Sequence, residues 1–206
     1  MTQRSPHEPG TLDDLRRRCR EARRRLGPAE RTGAEAQLVD RLLALDELSG
    51  AATVAWYLPT DGEVDLRGAV DVLRARGATL WLPVIGEARS MQFARWAPDT
   101  ELVVNRYGIP EPASADGSRP AADTRRAEEL DVVVVPCVAV DERGTRVGFG
   151  AGYYDRALGA VPIDRRPHSI GVAFEAQVVG TLEPAPWDVP LDVVVTEART
   201  MRVGRL

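Results

Sequence analysis

An open three-layer α/β sheet of mostly parallel strands, preceded by an N-terminal helical hairpin, is predicted by three observations. Short apolar runs recur at residues 53–58 (TVAWYL), 79–84 (TLWLPV), 131–135 (DVVVV), 169–174 (SIGVAF) and 192–195 (DVVV). Helical spacings lie between several of these runs, as expected of β-α-β units. The first fifty residues contain no such run and carry two apolar stripes of period three to four instead.

The first stripe is Leu12, Leu15, Cys19, Ala22 and Leu26, with Thr11 as N-cap and Asp13 and Asp14 in the first turn. Arg fills most of the other faces and is read as a solvated surface, but Arg16, Arg20 and Arg23 border the stripe, so some of them could point inward toward bound phosphate. Gly27-Pro28 breaks the helix. A second run over residues 29–48 carries Leu38, Leu42 and Leu45. Residues 53–58 then read as a buried strand, 66–76 as a helix ended by Gly77, and 79–84 as the next strand. Residues 153–159 form a short helix between two later strands. The segment 113–129 has no apolar period and reads as a surface loop or fraying helix. Residues 1–10 are expected to be a flexible tail and 11–206 a single domain.

The chain has 206 residues, 44% of them hydrophobic, enough for a substantial core. Its net charge of -4 gives no reason to expect nucleic acid or an anionic membrane as a partner. All 27 basic residues are Arg, which excludes a lysine-containing phosphate loop and a Schiff-base lysine. Two Cys (Cys19, Cys137) and two His (His7, His168) are too few and scattered for a zinc cluster or disulfide framework. A metal is therefore expected to be a hard cation on oxygen ligands. No apolar stretch approaches the roughly 20 residues of a membrane span, and the N-terminus lacks a signal-peptide core. A cytoplasmic location is the expectation, and a monomer rather than an obligate oligomer.

The segment with most chemical information is RGTRVGFGAGYYDR, residues 143–156, between a buried strand and a helix. Gly148, Gly150 and Gly152 bare a stretch of backbone whose N–H groups can approach a phosphate, and Arg146 and Arg156 flank it. Asp155 falls in the first turn of the helix, suited either to capping or to a divalent cation bridging phosphate oxygens. Asp192 opens a short apolar strand and is a second candidate for that cation. In YLPTDGEVD, Pro59, Asp61 and Gly62 mark a turn after the first strand. Glu63 there has two open readings, a helix cap or a buried carboxylate pairing with the N–H edge of a heterocycle. Trp96, Tyr107, Tyr153 and Tyr154 are aromatic candidates for stacking on a flat ligand, and equally for the core.

Taken in order, YLPTDGEVD, FARWAPDTELVVNRYGIPEP, DVVVVPCVAVDERGTRVGFGAGYYDR and IGVAFEAQVV with DVPLDVVVTE resemble the 5-formyltetrahydrofolate cyclo-ligase family over about residues 15–199. The resemblance implies an enzyme that uses ATP and magnesium to convert 5-formyltetrahydrofolate to 5,10-methenyltetrahydrofolate through a phosphorylated formyl intermediate. By the same resemblance Arg16, Arg146, Gly148, Phe149, Gly150, Ala151, Gly152, Tyr153 and Tyr154 are expected to contact ATP. Leu58, Glu63, Gly150 and Tyr154, with Trp96 and Tyr107, are expected at the reduced folate. Asp155 and Asp192 are expected at magnesium, and Arg146 and Tyr154 are the expected catalytic side chains.

Departures from the family pattern are Leu12 where a Lys is common, Phe149 and Ala151 inside the loop, and Trp187-Asp188 where His-Asp is frequent. They keep a second reading open, a divergent paralogue that binds folate or nucleotide with weak, altered or no cyclo-ligase activity.

Overall fold

The computed structural model describes residues 11–113 and 123–204. The expected tail at 1–10 and the centre of the expected loop at 113–129 lie outside the described residues. Helix α1, Leu12–Arg25, starts as its sequence dictates, with the Asp14 N–H donating to Thr11 Oγ1 at 3.3 Å. Helix α2, Pro28–Leu43, follows the Gly27 break with Pro28 in its first turn. The predicted second helix is in fact two, because Leu45 adopts extended backbone before α3, Asp46–Ser49. Strand β1 is Thr53–Ala55, helix α4 Arg67–Ala75 and strand β2 Thr79–Ile85. Three strands without a strong sequence signal come next: β3, Met91–Arg95, and the β4–β5 hairpin, Leu102–Val104 and Pro110–Pro112. Part of the expected loop forms strand β6, Thr124–Arg125, pairing with β3, and a turn of 3-10 helix at Ala127–Glu129. The remaining elements are β7 (Val132–Pro136), β8 (Ala139–Val140), β9 (Arg146–Val147), α5 (Tyr153–Gly159), β10 (His168–Val172), β11 (Val193–Val195) and β12 (Thr200–Arg202).

The main sheet has the order β12-β11-β10-β7-β1-β2-β3-β6. Its five inner strands, β11, β10, β7, β1 and β2, are parallel, and the edges β12, β3 and β6 are antiparallel. Alternation along each strand divides the core between the two faces. Val54, Leu80, Val132, Val134, Ile170 and Val193 pack under α2, α3 and α4. Ala55, Trp81, Val133, Val135 and Val194 pack with Leu158 of α5 on the other face. Helix α1 lies apart from both layers, with Cys19 buried against Val138, Ala139 and Val147 on the β8–β9 hairpin.

This topology positions the site. Strand β1 has β2 on one side and β7 on the other, so the chain leaves in opposite directions from neighbouring strand ends. In an open parallel sheet the crevice for a ligand opens beyond the carboxyl ends at such a reversal.

Candidate active site

Beyond the carboxyl ends of β1 and β7 lies a cleft of about 610 Å³. The turn after β1 contributes Leu58, Asp61 and Glu63, the β4–β5 hairpin contributes Tyr107 and Glu111, and the glycine loop contributes Arg146, Gly148, Phe149 and Tyr154. On the other side of the glycine loop is a second cleft, of about 780 Å³, lined by Arg89, Arg156 and Arg166 with Trp187 at its rim. Ala151, Gly152 and Asp155 line both clefts. The loop is thus a shared wall between an apolar cavity and a cationic one.

Glycine is required in that wall because Gly150 has φ +101 and Gly152, the N-cap of α5, has φ +66. The Arg16 side chain braces the loop, its Nε donating to the Gly148 carbonyl at 2.9 Å, and its guanidinium lies close to where a Cβ on Gly150 would project. At the root of the loop Arg146 Nη2 stands 2.5 Å from Asp155 Oδ1, and the Val189 N–H donates to the same oxygen at 3.2 Å. The Tyr154 phenol is pushed above its usual pKa, chiefly by burial, so it is a hydrogen-bond donor at neutral pH.

Glu63 is 6% exposed. The Thr60 N–H donates to its Oε2 at 3.0 Å, while Oε1 is buried with no hydrogen-bond partner among the described residues. Burial lifts its pKa to about 7, against the opposing pull of the Thr60 N–H and Arg23. Glu63 does not cap the helix that follows it: α4 opens on Leu66 with no side-chain cap, and Glu63 Oε2 instead ties down its own turn at Thr60, three residues back, which leaves Oε1 of the buried-carboxylate reading facing the cleft. Tyr57 supports the turn by donating its hydroxyl to the Val64 carbonyl at 2.7 Å.

The basic face of α1 is divided: Arg17, Arg18, Arg24 and Arg25 are exposed, as its composition suggests, whereas Arg16, Arg20 and Arg23 turn inward. Arg23 is fully buried and donates to the Asp61 carbonyl and to its Oδ2, at 2.6 and 3.0 Å. Arg20 and Arg24 pair with the same carboxylate, and Arg31 of α2 donates to the Gly62 carbonyl. Asp61 and Gly62 both have positive φ, so four guanidinium groups hold a turn that few residues adopt unaided.

Two expected site residues are placed elsewhere. Trp96 does not line the cleft: its ring packs on the α4 face of the core with Arg74 stacked 4.8 Å away, because the end of β3 turns it beneath that helix. Asp192 lines neither cleft. Lying just before β11, it receives the Ser169 N–H and hydroxyl at 2.8 and 3.0 Å, which ties the entry of β11 to that of β10. Those contacts commit Asp192 Oδ2 to the strand entries, whereas Asp155 faces the two clefts. Tyr107, by contrast, lies at the cleft mouth, its hydroxyl 3.1 Å from that of Tyr153 and the rings 6.1 Å apart edge to face.

The chain matches the model of the 5-formyltetrahydrofolate cyclo-ligase family over residues 11–197. It belongs to that family. A protein named 5-formyltetrahydrofolate cyclo-ligase from Escherichia coli (strain K12) is 34% identical over 87% of this chain and 97% of its own. A protein of the same name from Mycolicibacterium smegmatis is 31% identical over 93% and 96%. The NMR structure of Aquifex aeolicus 5,10-methenyltetrahydrofolate synthetase superposes with a TM-score of 0.77 at 33% identity, covering 95% of each chain. The chain is therefore an enzyme of the cyclo-ligase family, with that family's fold.

Sequence reasoning allowed Arg20 and Arg23 to turn inward, toward phosphate, but missed that their partner is Asp61, and it missed the cationic cleft of Arg89 and Arg166. For the inward turn a signal was present: Arg16, Arg20 and Arg23 follow i, i+4, i+7 spacing, which lines one helix face. For the cleft there was none, since Arg89, Arg156 and Arg166 are far apart in sequence.

Proposed function

We propose that this enzyme closes 5-formyltetrahydrofolate to 5,10-methenyltetrahydrofolate at the expense of ATP, releasing ADP and phosphate. The reduced pterin occupies the apolar cleft with Glu63 at its inner wall, and the triphosphate occupies the arginine-lined cleft across the glycine loop. The observation that carries this reading is the shared wall: Gly152 and Asp155 face both clefts, so the γ-phosphoryl group of one ligand can meet the formyl oxygen of the other.

In the reaction the formyl oxygen attacks the γ-phosphorus and ADP leaves. N10 of the folate then attacks the activated formyl carbon, the C–O bond breaks, phosphate departs, and the N10 proton is lost as the methenyl ring closes. No side-chain nucleophile is required, and the chain's task is positioning and charge neutralisation. Arg146 and the loop N–H groups face the transferring phosphoryl group. Tyr154, kept protonated by burial, donates toward the same oxygens. Glu63 Oε1 accepts from the pterin N–H edge.

Magnesium fits this donor set. Asp155 offers a hard carboxylate between the clefts, and no group of three or more His, Cys, Asp or Glu side chains able to hold a metal ion occurs among the described residues. That arrangement suits a cation carried in on the nucleotide, with phosphate oxygens and water as most of its ligands. Asp155 is the residue that would hold it, and its chemistry there is neutralisation of phosphate charge.

Mixing protein, Mg-ATP and 5-formyltetrahydrofolate is expected to produce the absorbance of the methenyl product, and omission of ATP to abolish it. No product at enzyme concentrations near those of substrate would reject the assignment, and tight binding without turnover would favour the divergent paralogue.

A further inference from the structure

Helix α1 touches both substrate-facing loops, and one of its residues touches them at once. The Arg20 guanidinium lies over the Phe149 ring of the glycine loop, 5.0 Å from the centroid. The same side chain places Nε 3.2 Å from Asp61 Oδ2, in the turn that carries Glu63. Its neighbours on the helix face are each committed to one side: Arg16 to Gly148 in the loop, Arg23 to Asp61 in the turn. From Arg16 to Arg23 the helix rises about 10 Å, so a rigid rod with a basic face spans the gap between the two loops, and Arg20 is its midpoint.

We infer that Arg20 is a positioning residue that couples the two substrates: ordering of the glycine loop on a nucleotide fixes the Asp61–Glu63 turn for the folate, and the reverse. This rests on the two-cleft reading above. The physical basis is that the link has two unlike halves. The Asp61 half is an ion pair, buttressed on its far side by Arg23 and Arg24. The Phe149 half is a guanidinium stacked on a ring that is 46% exposed, a contact of about 0.5–2 kcal/mol in general that depends on where the loop sits. Movement of Phe149 toward a bound phosphate therefore pulls on a side chain anchored to the opposite turn. Linkage requires the effect to be reciprocal.

The test is calorimetric titration of the full-length protein with 5-formyltetrahydrofolate, with and without a non-hydrolysable ATP analogue and magnesium. In the wild type the analogue is expected to tighten folate binding by about 10-fold. In Arg20→Ala the tightening is expected to fall below about 2-fold, with each ligand alone binding within about 3-fold of wild type. Arg20→Lys keeps a charge for Asp61 but not the planar stack, and is expected to retain no more than about 3-fold. Phe149→Leu cuts the link from its exposed end without disturbing Asp61, and must lower the coupling as well. Unaltered coupling in Arg20→Ala or Phe149→Leu, or wild-type protein that binds both ligands independently, overturns the inference while leaving the two clefts in place. Loss of a single ligand's binding by more than about 10-fold in Arg20→Ala also overturns it, since that marks a direct contact. Wild-type protein that fails to bind the folate or the nucleotide overturns the two-cleft reading itself.

Discussion

Arg146 and Asp155 meet at 2.5 Å across the root of the glycine loop, and both are tied to one further residue. Arg146 Nη1 donates to the Val189 carbonyl at 2.5 Å, and the Val189 N–H donates to Asp155 Oδ1 at 3.2 Å. This closed triangle fixes the first turn of α5, and with it the wall shared by the two clefts.

Asp155→Asn keeps the shape of that triangle and removes its charge. Turnover at limiting magnesium is expected to fall at least ~10-fold, about 1.4 kcal/mol of lost transition-state stabilisation. Steady-state kinetics over a magnesium titration check it, and unchanged rates would leave Asp155 as a helix cap with an arginine partner.

Glu63 makes stability depend on pH. Its pKa is raised from 4.5 to about 7 by burial, so between those values the unfolded chain releases a proton that the folded chain keeps. Stability is highest below pH 4.5 as far as this group is concerned, and is lost as pH rises through about 7, by on the order of 3 kcal/mol in total. Glu63→Gln is expected to flatten that part of the profile in chemical denaturation between pH 5 and 8. It is also expected to raise the folate KM at least ~10-fold while leaving nucleotide affinity nearly intact, since a neutral amide presents a weaker acceptor to the pterin. Equal loss of both ligands would mean that Glu63 supports only the fold.

Arg23→Ala deletes a fully buried guanidinium and leaves the Asp61 carbonyl short of its two donors. The expected cost is about 3 kcal/mol, the lower end for breaking a buried pair, because Arg20 and Arg24 still reach the carboxylate. Urea denaturation measures it, and a change below about 0.5 kcal/mol would show that the turn holds itself.

Gly150→Ala places a Cβ at φ +101 and 3.5 Å from the Arg16 guanidinium. Backbone strain of about 1–3 kcal/mol is expected, together with weaker binding of the ATP analogue as the loop withdraws from its phosphates. A calorimetric titration with wild-type affinity would show that the loop does not meet the nucleotide there.

Tyr107→Ala opens the mouth of the apolar cleft and is expected to raise the folate KM several-fold without altering the nucleotide KM. Trp96→Ala should do the opposite of what the resemblance suggested: lower thermal stability, with folate KM unchanged, because its ring serves the core beneath α4. A folate-specific defect in Trp96→Ala would reverse that placement.

The parallel inner sheet was legible before folding, since continuous valine-rich runs such as 132–135 are stable only when covered on both faces. So were the glycine loop and the start of α5, because bare glycines and an acidic first turn are local signals. The edges β3, β6 and β12 and the β4–β5 hairpin were not legible, their residues lacking a period of their own and gaining stability from the strands they join. Asp192 and Trp96 show the same limit at the site: each stands beside a strand, and only the packed strand order decides whether that end faces the crevice or the core. The destination of Arg20 and Arg23 was likewise set by folding, since a guanidinium on a helix is solvated until another segment, here Asp61 some forty residues on, is packed against it.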